Sequence, residues 1–453
     1  MCAIVIENPK VMYMNTQALY GGNVIGSGGF GCVFAPPLRC ASSSGASTPR
    51  PNTISKLMIR KNALEEYGII KDIRRQIVKI PNHERYFLLD NINMCRPAQL
   101  SDIELAQYSR KCHMLEKHGV TAKNMNENLN SLMLINMPRG GVTMEKYIET
   151  NAESINHDFV IINDNLIKLY LNGIMKMNRL GIYHCDIKGS NLLIDDKLVP
   201  RLIDWGLSNH GDTRDLESWR HYSVQFNTPF TSVLFGAHFE KWLAGGEGVL
   251  AGGEGVLAGG GEGQSNLASF VTGYMGKQRH MSVITNIMFM LFMEDIPAAV
   301  KSTRAQKDWI YDNVTVPMIT NYLKHVIEHF DIIVGGKINY VGLKRYLDVV
   351  YIHLVDTWGF VMIYLGELEI LYQNVGNLTG AEMRLYNAIR AIFIKYLYTA
   401  HMRAPNSSEL VADLRRLNAG FKATNYNLYT HTTLAKYTTY RRQKNATRLQ
   451  ISM

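Results

Sequence analysis

Apolar and polar positions alternate in short runs over the opening part of the chain and recur at helical spacing later on. Residues 20–34 read as strand, glycine turn, strand, with Val24, Ile25, Val33 and Phe34 flanking the glycines of "VIGSGGFGCVF". Glycine weakens a strand unless something must approach its backbone closely. A bound phosphate would meet that condition, and a plain flexible hairpin turn is the alternative. The Pro-, Ser- and Gly-rich stretch 35–52 reads as a loop, and "TISKLMI" (53–59) resumes a strand. "NALEEYGIIKDIRRQIVKI" (62–80) has helical spacing, with Leu64, Ile69, Ile73 and Ile77 on one side, and stops at Pro81. "RYFLL" and "SLMLINM" (131–137) read as further strands, so this part is expected to be mostly β with one helix.

After "PRGG" (138–141) the pattern changes. Residues 159–181 form a long apolar helical segment with Gly181 as its stop, and helical patterns dominate from residue 280 onward. Between them "AGGEGVLAGGEGVLAGGGEG" (244–263) repeats a seven-residue unit in which glycine is half the composition. Ordering so much glycine is entropically costly, and no Lys-Ser/Thr closes the repeat as in a phosphate loop, so it reads as a flexible linker.

Composition adds bounds. The chain has 453 residues, 46% hydrophobic and 19% charged, enough for two large lobes or two to three domains. Its six cysteines show no C-x-x-C spacing, so neither a zinc site nor a disulfide framework is expected and a reducing compartment fits. The N-terminal apolar run is too short for a signal peptide, and "MSVITNIMFMLFM" (281–293) is too short to span a bilayer. A soluble intracellular protein with no membrane partner is therefore expected. Of the formal +9, nearly all falls in residues 415–453, where Arg415, Arg416, Lys422, Lys436, Arg441, Arg442, Lys444 and Arg448 meet no acidic residue. Such a basic tail is either a solvated terminus or a tether for nucleic acid or an acidic partner, and Tyr426, Tyr429, Tyr437 and Tyr440 are placed to stack on bases or to pack on the body.

The densest chemistry lies in "YHCDIKGSNLLIDDKLVPRLIDWGLSN" (183–209). Asp186 and Asp204 bracket two short apolar runs with a turn at "DDK", a strand pair that would present both carboxylates at one end. One acid can then accept a proton while the other, with Asn191, holds a metal. Mg²⁺ prefers such oxygen ligands and needs phosphate oxygens to complete its octahedron.

At this point the chain resembles the eukaryotic-type protein kinase superfamily over residues 20–405. "GSGGFGCV" matches its phosphate-covering loop, "ISK" its strand lysine, "HCDIKGSN" its catalytic loop, and "DWG" stands for its Asp-Phe-Gly. The resemblance implies an α+β, bilobal protein-kinase-like fold: a β-rich N-lobe (20–137) with one helix and a mainly helical C-lobe (138–405). The C-lobe would carry a long insertion (236–350) that includes the glycine repeat, with the basic tail (415–453) beyond it. It implies ATP and Mg²⁺ as cofactors and phosphoryl transfer to Ser/Thr hydroxyls of a protein substrate. Gly26, Gly28 and Gly31 would let backbone N–H groups meet the phosphates, with Phe30 at the loop tip. Lys56 would grip the α- and β-phosphates, paired with Glu66 or else Glu65. Asp186 would orient the attacking hydroxyl and take its proton, Lys188 would neutralise the γ-phosphate, and Asn191 and Asp204 would hold Mg²⁺. Ile25, Val33, Ile54 and Leu193 would sandwich the adenine, with Asn136, Met137 and Pro138 as the hinge.

The pattern also departs from the family. Cys185 replaces the arginine that clamps an activation-segment phosphate, which implies an enzyme that does not need phosphorylation there. No Ala-Pro-Glu follows "DWG". "FNTPFTSVLF" (226–235) is expected to take its place, with Thr228 and Pro229 near the substrate, and the family's Asp-x-Trp helix starts only at "DTWGF", Asp356 to Phe360. These features together resemble the divergent kinases of large nucleocytoplasmic DNA viruses, which implies a host-cytoplasmic or virion-packaged enzyme. Two alternatives stay open: a pseudokinase scaffold, suggested by the missing Ala-Pro-Glu, and a small-molecule kinase of the aminoglycoside or choline type, to which "IDWG" is similar.

Overall fold

The computed structural model describes residues 22–27, 31–41, 52–150, 155–220, 224–244, 262–278 and 280–423. Gly28 and Phe30, most of the 35–52 loop, residues 245–261 of the glycine repeat and residues 424–453 of the basic tail lie outside them. The described chain is a mixed α+β structure with antiparallel sheets, divided into two compact units.

The first unit takes in the chain up to Lys176 and the segment Gly189–Gly206. Its main sheet has strands β1 (Asn23–Ser27), β2 (Gly31–Ala35), β3 (Thr53–Ile59), β4 (Asn93–Cys95) and β5 (Leu132–Pro138), in the order β1-β2-β3-β5-β4. The two strands of the strand–turn–strand expectation are β1 and β2, the turn between them (28–30) lies outside the described residues, and β3 spans the predicted residues. A register shift between Val24 and Gly26 kinks β1, as bulges do. At Gly31 a Cβ would lie 2.4 Å from the Leu57 carbonyl oxygen, so this glycine is required by strand packing alone. One face of the sheet carries Val33, Ala35 and Ile54 with Ile25 and Met137 against them. The other buries Val24, Phe34, Leu38, Leu57 and Leu134 under Tyr108 and Leu115.

Helix α1 (Arg60–Ile77) follows β3 directly. Its buried face is Ala63, Glu66, Ile70, Ile73 and Ile77, whereas Leu64 is 48% exposed. The predicted stripe is thus rotated: Ile73 and Ile77 belong to it, Leu64 does not, and a carboxylate occupies the face. "RYFLL" is not a sheet strand. Asn82 takes a left-handed φ of 57°, a turn His83–Arg85 follows, and Phe87 makes a single bridge to Leu202. The edge strand is β4 instead. Three short helices, α2 (Asp102–Leu105), α3 (Tyr108–Lys111) and α4 (His113–Lys117), also fall where one helix in all was expected. Their brevity hides the 3.6-residue period from the sequence.

Two disulfides correct the cysteine reading: Cys32 in β2 joins Cys112 after α3, and Cys40 joins Cys95 in β4. Sequence spacing could not show them, because both join residues brought together only by the fold. The unit continues through β6 (Val142–Thr143), α5 (Met144–Thr150) and α6 (Ile155–Leu169), and ends with the hairpin β7 (Leu192–Ile194) and β8 (Pro200–Leu202).

The second unit comprises Met177–Lys188 and Leu207–Thr424. It contains the end of α7 (Met175–Arg179), which Gly181 terminates at φ +74°. Its helices are α8 (Ala237–Leu243), α9 (Glu262–Gly273), α10 (Met281–Phe292), α11 (Thr303–Ile310), α12 (Val316–His329), α13 (Tyr340–Tyr346), α14 (Ile352–Val361), α15 (Leu365–Gln373), α16 (Gly380–Phe393) and α17 (Ser407–Ala423). The helical run Tyr340–Gln373 is long and apolar enough to cross a membrane, but 78% of its most apolar window is buried within the protein. It serves as core here: Trp358, at 0% exposure, meets Phe230 and Tyr398 edge-to-face. Residues 415–423, expected to begin the basic tail, belong to α17, whose Leu417 and Phe421 are buried.

Candidate active site

Lys56 sits in the middle of β3, opposite Val33 on one side and Ile135 on the other. Strand alternation sends its side chain toward α1, where Nζ donates to both Glu66 oxygens at 2.7 Å. The α1 rotation noted above selects the partner: Glu66 is on the buried face and Glu65 is exposed. Burial acts to lower the Lys56 ammonium pKa, but the charges of Glu66 and Asp204 outweigh it and hold the pKa above the ordinary lysine value.

The β7–β8 hairpin carries Asn191 and Asp204 at its open end. Its turn is fixed by Asp195, whose Oδ1 accepts the N–H groups of Lys197 and Val199 at 2.9 Å and whose Oδ2 accepts Arg201 at 2.8 Å. At the opposite end the Ile203 N–H donates to the Asn191 carbonyl at 3.0 Å, which places Asn191 beside the start of "DWG". Asp204 is exposed and has a left-handed φ of +67°, a strained conformation for a non-glycine residue. Trp205 is buried edge-on against Phe87 at 5.7 Å, which anchors the chain next to Asp204.

Of the residues expected around adenine, Ile25, Val33 and Ile54 form one apolar cluster with the expected hinge residue Met137. Leu193 is buried in β7 beside Gly140, where a Cβ would come within 2.8 Å of it. Among the described residues no group of three or more His, Cys, Asp or Glu converges into a self-sufficient metal site. Asn191 and Asp204 offer two hard oxygen donors, a set that suits Mg²⁺ when phosphates and water supply the rest.

The second unit carries Asp186 and Lys188. Lys188 Nζ contacts both Asp186 oxygens at 2.7 and 2.8 Å. The Asn227 side-chain amide donates to Asp186 Oδ1 at 2.9 Å and to the Ile187 carbonyl at 3.2 Å. All three side chains are buried. Beneath them lies Asp356 of α14. Its Oδ2 accepts the His184 N–H at 2.9 Å and the Asn178 amide at 2.7 Å, and its Oδ1 accepts the Cys185 N–H at 2.9 Å. These bonds hold Cys185 at a left-handed φ of +59°. Burial raises the Asp356 carboxyl pKa above the ordinary range, against the opposing pull of His184 and of these N–H donors. Gly359, one turn along α14, has Ile187 so close that a Cβ would lie 2.8 Å from its carbonyl oxygen. Trp358 donates its indole N–H to the Phe226 carbonyl at 3.2 Å. "DTWGF" thus clamps both the 184–187 loop and the segment bearing Asn227.

Asn227 was not anticipated. Its motif, "FNTPF", is visible in the sequence, but the residue expected near the substrate, Thr228, is buried with its hydroxyl turned back to the Gln225 carbonyl. Asp356 was legible as a landmark and not as an anchor. Cys185 is buried, its thiol directed to the Tyr183 carbonyl.

No protein-family model matches the chain. Part of it is similar to a putative leucine-rich repeat receptor-like serine/threonine-protein kinase of Arabidopsis thaliana, 26% identical over 204 residues, 44% of this chain. A shorter stretch of 68 residues, 14% of the chain, is 37% identical to a probable serine/threonine-protein kinase, a KIN28 homolog, of Encephalitozoon cuniculi. The chain spans 17% and 22% of the length of these two relatives. These partial similarities support a relationship to the protein kinase superfamily.

Proposed function

We propose that this chain is a protein kinase that transfers the γ-phosphoryl group of ATP to Ser/Thr hydroxyls of a protein. The observation that carries the reading is Asp186, a buried carboxylate gripped by Lys188 and Asn227. Such a group can orient a hydroxyl and accept its proton as the new O–P bond forms and the bond to the β,γ-bridging oxygen breaks, releasing ADP. Lys188 would shield the transferring phosphoryl charge, and Lys56, positioned by Glu66, would hold the α- and β-phosphates. The Ile25, Val33, Ile54 and Met137 cluster offers an apolar face for adenine. Asn191 and Asp204 would hold Mg²⁺, which when bound neutralises phosphate charge. A Ser/Thr rather than Tyr substrate is supported by Lys188 two residues after Asp186 and by the names of both relatives.

The test is incubation of the purified chain with labelled ATP, Mg²⁺ and generic acidic and basic proteins, beside Asp186→Ala and Lys56→Met. Label on Ser/Thr with the wild type alone supports the proposal. Label only on small alcohols or sugars, or nucleotide binding without turnover, overturns it.

A further inference from the structure

We propose that the Cys40–Cys95 disulfide is a redox-sensitive modification site that sets the rigidity of the β5 hinge and, through it, nucleotide affinity. The affinity clause rests on the kinase reading above; the rigidity clause does not.

The two disulfides of the first unit differ in access. Cys32 and Cys112 are both fully buried, whereas Cys40 is half-buried and Cys95 is 5% exposed. The Cys40–Cys95 bridge is therefore the more open of the two to a reductant, while the other bridge is sealed in the core.

The accessible bridge is wired into the hinge. The Asn136 amide nitrogen lies 3.6 Å from Cys40 Sγ, 3.4 Å from Cys95 Sγ and 3.1 Å from Asn93 Oδ1. Asn136 Oδ1 accepts the Ser55 hydroxyl at 2.5 Å, and Ser55 Oγ in turn accepts the Leu38 N–H at 3.0 Å. Leu38 lies two residues before Cys40, so disulfide, Asn136, Ser55 and Leu38 form a closed ring that ties the segment after β2 to β3, β4 and β5. Met137, next to Asn136, pairs with Ile54 and packs into the apolar cluster on that face.

Reduction opens this ring. A thiolate of a dithiol reductant attacks Cys40 Sγ, the S–S bond breaks, and Cys95 leaves as a thiolate that takes a proton. The reductant's second thiol then resolves the mixed disulfide, which leaves two protein thiols and an oxidised reductant. The sulfurs separate to non-bonded distance, Asn136 loses its fixed pair of sulfur neighbours, and the segment carrying Leu38 loses its covalent tie to β4, keeping the Ala41–Arg96 and Ala98–Arg39 backbone hydrogen bonds to the residues after that strand.

The test compares the full-length chain in graded dithiothreitol. Differential alkylation with peptide mass spectrometry reads the cysteines, hydrogen exchange reads Leu132–Pro138, and a fluorescent ATP analogue reads affinity. Cys40 and Cys95 should become alkylatable together, before Cys32 and Cys112. Exchange across Leu132–Pro138 should quicken at least about threefold, and the dissociation constant of the analogue should rise by a similar factor. A Cys40→Ser/Cys95→Ser double variant should respond to dithiothreitol in neither readout. The proposal is overturned if Cys40 and Cys95 alkylate freely under oxidising conditions, if exchange in the wild type ignores reduction, if an analogue that binds does so with one affinity in both states, or if the double variant still responds. Absence of analogue binding in both states, with the exchange response intact, supports the hinge switch and tells against the kinase reading instead.

Discussion

Asn227 donates its side-chain amide to Asp186 Oδ1 at 2.9 Å across 41 residues of sequence. A hydrogen bond to a buried carboxylate fixes both its rotamer and the lone pair left to face a substrate. Asn227 is itself held from below, because Trp358 pins the preceding Phe226 carbonyl. The position of the proposed base is therefore decided by α14 and by a residue that does no chemistry.

Removing that amide should slow turnover without weakening ATP binding. Hydrogen bonds to charged groups contribute about 1.5–3 kcal/mol, so Asn227→Ala is expected to lower kcat at least about tenfold. The KM for ATP should change less than about twofold, and Asn227→Thr, which keeps a donor, should recover most of the loss. Steady-state kinetics on the three proteins decides it. Equal losses in Ala and Thr variants, or a loss confined to KM, would show that Asn227 only fills space.

Lys56 and Glu66 make a second, separable case. Lys56→Met leaves the Glu66 carboxylate buried without its cation, a situation that costs about 3–5 kcal/mol. Replacing both partners with apolar residues of similar size, Lys56→Met/Glu66→Leu, should restore most of that stability and none of the phosphoryl transfer. Thermal or urea denaturation beside an activity assay separates the two. A double variant as unstable as the single one would mean that the pair does not act as a unit.

Much of this was readable in the chain. β3 and the β1–β2 pair follow from alternation and glycine placement, and the "DDK" turn between two apolar runs announced the β7–β8 hairpin. α1 was located but rotated by the reading, because Leu64 looks like core and Glu66 does not; the face that turns inward carries Ala63, Ile70, Ile73 and Ile77, and Glu66 is accommodated on it by the buried lysine of β3. The 102–117 helices have too few turns to leave a period. Asn227, Asp356 and both disulfides act across distances in the sequence that no local pattern encodes. Their roles became visible only with α14 set against the 184–187 loop and β4 against the segment after β2.

The hairpin itself should carry a measurable acid response. Burial opposes ionisation of Asp195, but the Val199 and Lys197 N–H groups and Arg201 prevail and hold its pKa below the usual carboxylate value. A carboxyl depressed in the folded state stabilises above its unfolded value of about 3.9, and that contribution fades as pH falls through the lower folded value. Asp195→Asn, which keeps an acceptor and loses the charge, should melt below wild type near neutral pH. The gap should close as the pH drops below about 4. A melting-temperature difference that stays constant from pH 7 to pH 3 would sink the assignment.

The basic C-terminal segment calls for a cut placed by structure. Truncation at Arg415 would remove Leu417 and Phe421 from the core and Gly420 from its close fit against Leu385, so loss of binding would be indistinguishable from loss of fold. Arg416 is moreover paired with Asp413 within the helix. Removing residues 424–453 spares α17 and deletes Lys436, Arg441, Arg442, Lys444 and Arg448. Each cation that meets a phosphate adds about 0.7 to 0.9 to the slope of log affinity against log salt. If all five cations of the segment meet phosphates, full-length protein should show a slope steeper than the truncated form by about 3.5 to 4.5, with melting temperature unchanged. Identical slopes for the two proteins would assign the basic segment to solvent or to a protein partner.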